Sequence, residues 1–309
     1  MSSSRTLLSV VMPTHDRARD VARAAASVLA QDVDALELVV VDDCSTDDTP
    51  AVLDRLASQD ARVRVVRSDR CLGPCEARNR GLAVAEGDLV AFCDDDDAWF
   101  PGAARVLADY LDANPMVVAA SSWHVVLHPA TGGAAVFRGP LRYGSGQLLW
   151  QNFVALPFAM LRRRALSFDV AFDPDLPTGE DWDLWLRCSF DGPVRTVPHV
   201  GYLYTQHGGS RVTKTPAAQV TGRRNFLTKH GASMTPACRL YHEAVIAGYE
   251  DGRAGMRRLL TPGRGRRARD AAFVGFLLAT GSAAARAGRR RRDPGLQSRL
   301  MARMVDRGR

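Results

Sequence analysis

Leu89-Val90-Ala91-Phe92-Cys93-Asp94-Asp95-Asp96-Asp97-Ala98-Trp99-Phe100-Pro101 is the stretch that decides how the chain reads. Five apolar residues closed by a block of carboxylates read as a buried strand, and in an open α/β sheet a ligand lies just past the carboxyl end of such a strand. Four adjacent acids repel one another, so a core-side position is costly unless a cation shares it. Hard oxygen ligands of this kind suit Mg²⁺ or Mn²⁺. An extended course through the run puts Asp94 and Asp96 on one side and Asp95 and Asp97 on the other. The alternative is a solvated acidic loop; against it stands the run's place between an apolar strand and a helix start at Pro101.

Toward the N-terminus, Leu7 to Met12 read as a first strand, with Pro13, Thr14, His15, Asp16 and Arg17 as the turn after it. Asp20 can cap a helix in which Val21, Ala24, Ala25, Val28 and Leu29 recur at helical spacing. Leu36 to Val41 form a second strand that ends in Asp42 and Asp43, so two strands deliver acids to one edge. Thr49 and Pro50 open the next helix, Val63 to Val66 are a third strand, and Gly73 and Pro74 break the chain before a helix from Cys75 to Ala85 that carries Arg78.

Toward the C-terminus, a helix from Pro101 to Asp112 precedes a strand from Val117 to Ser122 and a hairpin around Thr131, Gly132 and Gly133. A short helix (Gly146 to Asn152), a strand (Phe158 to Leu161) and a Pro174/Pro177 loop follow, and the loop delivers Gly179, Glu180 and Asp181 to the head of a helix. First-turn acids can also serve only to stabilise the helix dipole. Val194 to Val197 are the last strand, and from Pro216 the pattern is helical. The alternation predicts an α/β, doubly wound, mainly parallel sheet of Rossmann-like kind with a C-terminal helical appendage. No GxGxxG follows the first strand, which disfavours dinucleotide binding.

With 309 residues, 46% hydrophobic and 24% charged, the chain can bury a full core. Arg253 to Arg309 hold 16 Arg against Asp270, Asp293 and Asp306, so of the net +7 the tail carries +13 and residues 1–252 carry −6. The run Ala271 to Ala287 reads as a buried or interfacial helix, and the basic patch after it, Arg289 to Arg292, reads first as a solvated face, with anionic lipid, a phosphorylated acceptor or nucleic acid as the alternatives. No nucleic-acid partner is expected. The apolar run from Leu7 is too short for a secretory segment, which gives a cytoplasmic expectation with peripheral contact at the inner membrane face. Cys44, Cys71, Cys75, Cys93, Cys188 and Cys238 show no CxxC pairing and no His partner at zinc spacing, so reduced thiols are expected.

Five segments in order, SVVMPTHDR (Ser9 to Arg17), ELVVVDDCSTDDT (Glu37 to Thr49), GPCEARNRGL (Gly73 to Leu82), CDDDDAW (Cys93 to Trp99) and GEDWDLWLR (Gly179 to Arg187), resemble the family 2 glycosyltransferases of the GT-A fold. The resemblance spans Leu7 to Arg211. It implies a glycosyltransferase domain at 1–215, with a nucleotide-sugar half at 1–122 and an acceptor half at 123–215, and leaves 216–309 as the basic helical region. It further implies that Pro13, His15 and Asp43 hold the nucleoside, His15 replacing the Tyr frequent at that turn, that Arg78 and Asp95 serve the nucleotide sugar, and that Asp94 and Asp96, with His207, hold Mn²⁺ or Mg²⁺. Glu180 and Asp181 match the family's catalytic pair, with Asp181 as the base. The donor implied is a UDP-sugar, with dTDP- and GDP-sugars as alternatives, and the acceptor is an unknown hydroxyl on a cell-envelope glycan, a lipid-linked carrier or a secondary metabolite. The competing readings are a nucleotidyltransferase, which usually needs glycines in the Pro13 to Arg17 turn, and a catalytically silent nucleotide- or carbohydrate-binding protein.

Overall fold

The computed structural model describes residues 7–128, 132–152, 154, 156–205 and 215–261, together with Asp270, Val274, Gly275 and Leu278. They group into two compact units. The first comprises Met1–Gly144, Phe153–Phe172 and Leu184–Gly208; the second comprises Ser145–Asn152, Asp173–Asp183 and Gly209–Arg309.

One sheet organises the first unit. Its strands are β1 (Leu8–Thr14), β2 (Leu36–Asp43), β3 (Val63–Ser68), β4 (Leu89–Phe92), β5 (Ala98–Trp99), β6 (Ala119–His128), β7 (Gly133–Phe137), β8 (Arg142–Tyr143), β9 (Ala159–Arg162) and β10 (Val194–Thr205). They lie in the order β3-β2-β1-β4-β9-β6-β10-β5, with β7 beside β6 and β8 beside β10. Strands β3, β2, β1 and β4 are mutually parallel. Strand β9 enters antiparallel between β4 and β6, and β10 pairs parallel with β6. Helices α1 (Ala18–Leu29), α2 (Thr49–Gln59), α3 (Pro74–Val84) and α4 (Ala103–Ala113) lie between these strands in the chain, as the α/β reading requires.

The apolar runs behave as buried parallel strands do. Val10, Val11 and Met12 of β1, Leu38 to Val41 of β2, and Val90 and Phe92 of β4 are shut off from solvent, each worth about 1.5–3 kcal/mol on burial. Helix α3 packs closely because of Gly81, where any side chain would strike Val11 and Val41.

Several boundaries differ from the sequence reading; β6, for one, runs on from Ser122 to His128. Strand β10 runs past Val197 to Thr205, with its register slipping between Val197 and Tyr202; Pro198 and Gly201 in that interval look like a strand end in sequence. The helix expected at Pro101 starts at Ala103, after Gly102 takes a left-handed φ of 76°. Asp20 lies inside the first turn of α1 and does not cap it, so it acts through the helix dipole.

The second unit holds α5 (Ser145–Leu148), the start of α6 (Glu180–Asp191), α7 (Pro216–His230) and α8 (Pro236–Leu260). Thr215 and Thr235 cap α7 and α8 by accepting the N–H of Ala218 and Cys238, each followed by proline at the first helical position. Segments 145–152 and 173–183 group with α7 and α8. The helix expected over Ala271 to Ala287 and the basic patch after it lie outside the described residues, apart from Val274, Gly275 and Leu278. Among the described residues no helix is long and apolar enough to cross a membrane.

Candidate active site

Strand β4 hands the chain to the acidic run at the edge where β1 and β2 also end, with Thr14 level with Asp42. The run is a turn and not an extended strand: the N–H of Asp97 donates to the carbonyl of Asp94 at 3.2 Å. The expected alternation therefore fails, and neighbouring Asp95 and Asp96 both meet Arg17. Its Nη1 donates to Asp96 Oδ2 at 2.9 Å and its Nε lies 3.7 Å from Asp95 Oδ1. Thr14 Oγ1 donates to Asp95 Oδ2 at 2.7 Å, and Asp94 pairs with the buried Arg78 at 2.8 Å. Asp97, fully buried, accepts the N–H of Thr205 from the end of β10. Arg23 of α1 donates to the carbonyls of Asp96 and Asp97.

Four acids in one turn leave the local charge negative even with these guanidinium groups. Burial, with repulsion from Asp96 and Asp94, pushes the Asp95 carboxyl up to about 7, although Thr14 and Arg17 pull the other way. Burial works against the charge of Arg17, but Asp95 and Asp96 outweigh it and raise its pKa. The donor set of hard carboxylate oxygens short of positive charge fits a divalent cation. Among the described residues no three of these four carboxylates converge as a ready cage. They fit an ion that takes its remaining ligands from a bound phosphate, as Mg²⁺ commonly does.

The shift of Asp95 sets a pH dependence. Between the ordinary value of 3.8 and about 7 the folded protein holds a proton that the unfolded chain has released. Stability without metal should therefore fall as pH rises through that window, by up to about 1.4 kcal/mol per unit. Asp95→Asn keeps an oxygen for Thr14 and removes this slope, so the melting temperatures of the two proteins should diverge as pH rises from 3.8 toward about 7, with the variant the more stable at pH 7 and above. Parallel curves from pH 5 to 8 would contradict the buried-carboxyl assignment.

The loops beside this turn carry the expected nucleoside residues. Pro13 is level with Val41, and the His15 Nδ1–H donates to the carbonyl of Asp43 at 2.8 Å. The buried Asp43 carboxylate accepts the N–H of Leu72 on one oxygen and of Gly73 on the other, both at 2.8 Å. Cys44 and Cys71 are joined in a disulfide across these loops, and the His15 ring stands against the pair. The expectation of reduced thiols without a histidine partner is corrected for these two cysteines, which 27 residues of sequence separate. Cys75, Cys93, Cys188 and Cys238 take no part in that disulfide.

In the second unit, Glu180 and Asp181 form the first turn of α6. Asp181 Oδ2 accepts from Asn152 Nδ2 at 2.9 Å, and Oδ1 from the N–H of Trp182 at 2.7 Å. Trp182 stacks on Phe226 of α7 at 4.2 Å between ring centres and donates through Nε1 to the carbonyl of Leu148. Asp183, fully buried, accepts from His230 Nε2 at 2.7 Å and pairs with Lys229 at 3.0 Å. Gly222 of α7 touches Thr178, where a side chain would collide. Helix α7 thus holds the segment that carries the acidic pair.

Arg17, Arg23, Thr14 and Asn152 were not singled out as site residues in the sequence. Arg17 lies within the first of the five segments, and its position after a strand end was the available signal; Asn152 offered none. His207 lies outside the described residues.

The family model described as Glycosyl transferase family 2 matches residues 9–168. The chain belongs to glycosyl transferase family 2. This glycosyltransferase is 26% identical over 205 residues to the UDP-Glc:alpha-D-GlcNAc-diphosphoundecaprenol beta-1,3-glucosyltransferase WfaP of Escherichia coli, covering 66% of this chain and 79% of that one. Its fold is similar to that of S. aureus TarS 1-349 in complex with UDP-GlcNAc, with a TM-score of 0.64, 20% identity, and coverage of 82% of this chain and 76% of that one. It is also similar to the mannosyltransferase PcManGT of Pyrobaculum calidifontis in complex with GDP-Man and Mn²⁺, with a TM-score of 0.60, 22% identity, and coverage of 98% and 87%. The glycosyltransferase therefore has the GT-A fold expected from its sequence.

Proposed function

We propose that this glycosyltransferase moves a sugar from a nucleoside diphosphate, foremost UDP, to a hydroxyl of a lipid-linked cell-envelope glycan intermediate, with inversion at the anomeric carbon. The observation that carries the reading is the acidic turn at the sheet edge, with Arg17 and Arg78 paired to its carboxylates. The acceptor class draws support from the diphosphoundecaprenol substrate in the name of WfaP, and the donor from the UDP-GlcNAc and GDP-Man in the TarS and PcManGT complexes.

Leaving-group departure puts negative charge on a diphosphate, and preorganised positive groups stabilise it. Arg78 and Arg17 supply fixed charge beside Asp94 and Asp96. A Mn²⁺ or Mg²⁺ ion held by Asp96 and Asp94 together with phosphate oxygens would neutralise that growing charge without a proton transfer. His207 is proposed as a further ligand. Asp43 keeps the loops around the nucleoside in place through Leu72 and Gly73, and Pro13 and His15 line that side, with Asp95 serving the donor. Asp181 takes the proton of the attacking hydroxyl, and Glu180 accompanies it. Attack opposite the leaving diphosphate gives the inverted product.

Asn152 donates to the Asp181 carboxylate and orients it. Asn152→Ala should lower kcat about tenfold with donor KM unchanged, and Asn152→Gln should recover part of the loss. A kcat equal to that of the unaltered enzyme would exclude this role.

Incubating the protein with UDP-, dTDP- and GDP-sugars and Mn²⁺ or Mg²⁺ tests the class of donor. Slow release of nucleoside diphosphate from one nucleotide class, quickened by undecaprenyl-diphosphate glycans, is expected. Conversion of the donor to nucleoside triphosphate and sugar 1-phosphate once pyrophosphate is added, with no nucleoside diphosphate released in its absence, would overturn the reading in favour of nucleotidyl transfer.

A further inference from the structure

The disulfide between Cys44 and Cys71 joins two loops that already meet over one carboxylate. Cys44 follows Asp43 directly, and Cys71 precedes Leu72 and Gly73, whose N–H groups Asp43 accepts. Cys44 itself takes a left-handed φ of 62°, as does Asp16 at 49° in the neighbouring turn. Asp16 laces the same loops: its carboxylate accepts the N–H of Thr46 and Asp47, and its own N–H donates to Ser45 Oγ. Cys71 is exposed and Cys44 half-buried, so one sulfur is open to attack from solvent. The other has an imidazole N–H beside it, with His15 Nδ1 at 3.9 Å from Cys44 Sγ. Thiol exchange is quickest where the attacked sulfur is accessible and the departing thiolate is stabilised, and a neighbouring imidazole provides the second condition.

We propose that Cys44–Cys71 is a thiol-exchange site for dithiol reductants, and that its two states differ in how firmly the nucleoside loops are held. The proposal rests on the nucleotide-donor reading given above. A thiolate of the dithiol attacks Cys71 Sγ, the bond between the sulfurs breaks, and Cys44 leaves as a thiolate beside His15. The second thiol of the reductant then attacks the mixed disulfide and frees Cys71. The reductant ends as its own disulfide, and the protein has gained two electrons and two protons. Without the covalent tie, the Leu72–Gly73 segment is held to Asp43 by hydrogen bonds alone, so a nucleotide must order the loops as it binds.

The test uses the full chain, dithiothreitol, and UDP, dTDP and GDP in the presence of Mn²⁺. Mass spectrometry after alkylation should show two further modified cysteines, Cys44 and Cys71, only after reduction. The Kd of the nucleotide that binds should rise about fivefold to tenfold on reduction and return when oxidised dithiothreitol in excess restores the bond. Cys44→Ser and Cys71→Ser should each bind as the reduced protein does and ignore the reductant. Their melting curves and the reversibility of the unaltered protein guard against a folding defect. Equal Kd values in the two states, or alkylation of both cysteines before reduction, would overturn the proposal. If no nucleotide binds in either state while alkylation still reports a reducible bond, the donor reading fails, and the coupling to the pocket fails with it.

Discussion

Replacing Asp181 by Asn is expected to lower the rate of sugar transfer by about a thousandfold or more, with donor affinity within about twofold of the unaltered enzyme. The side chain keeps its size, but its function as a proton acceptor is gone. The local hydrogen bonds also argue for a loss confined to chemistry. Asp181 offers one carboxylate oxygen to Asn152 and the other to the N–H of Trp182. An amide has one oxygen for these two donors, so it satisfies only one of them, and the cost stays within the first turn of α6. Trp182 remains pinned by Phe226 and Leu148, and Asp183 by His230 and Lys229. Single-turnover transfer and calorimetric donor binding separate the two quantities. A donor affinity that falls as far as the rate would remove Asp181 from the role of base.

Asp96→Ala should be the second severe change, lowering kcat by about two to three orders of magnitude. The Mn²⁺ concentration needed for half-maximal rate in the presence of UDP-sugar should rise in step. Asp96 is nearly buried and is held by Arg17 at 2.9 Å. Its loss leaves Arg17 closest to Asp95 at 3.7 Å and reduces the repulsion within the turn. Folding should therefore survive, and thermal stability at pH 8 should hold or rise. A variant that keeps full activity, or whose rate shows the same metal dependence as the unaltered enzyme, would exclude Asp96 as the ion's anchor. The two substitutions separate the steps: Asp96→Ala should impair hydrolysis of the donor by water as well as transfer, whereas Asp181→Asn should impair chiefly the step that needs the acceptor hydroxyl.

What could be read from the residues was mostly local. Strands β1, β2 and β4 are apolar runs, interrupted by Ser9 in β1 and Glu37 in β2 and closed by Pro13, Asp42 and Asp94, and such runs can be recognised without tertiary contacts. Strand β9 was visible as a segment, but its antiparallel entry between β4 and β6 depends on pairings that sequence spacing does not encode. The acidic run illustrates the limit at the site. Its composition pointed to a charged edge, yet the turn closed between Asp94 and Asp97 reversed the inference about which carboxylates share a side. Arg17 lies 79 positions from Asp96 and Asn152 lies 29 from Asp181. The pairing of Cys44 with Cys71 likewise forms only once β2 and β3 are in register. Long-range polar partners of this kind follow from the assembled sheet, and neither periodicity nor capping rules give them.

Anomalous diffraction at the manganese edge, from crystals grown with UDP and Mn²⁺, tests the chemistry most directly. The expected result is one strong peak within coordination distance of the Asp96 carboxylate, bridged to the diphosphate, with the uracil against His15 and Asp43. A manganese peak remote from the Asp94 to Asp97 turn, with those carboxylates still paired to Arg17 and Arg78 and the nucleotide bound elsewhere, would contradict it.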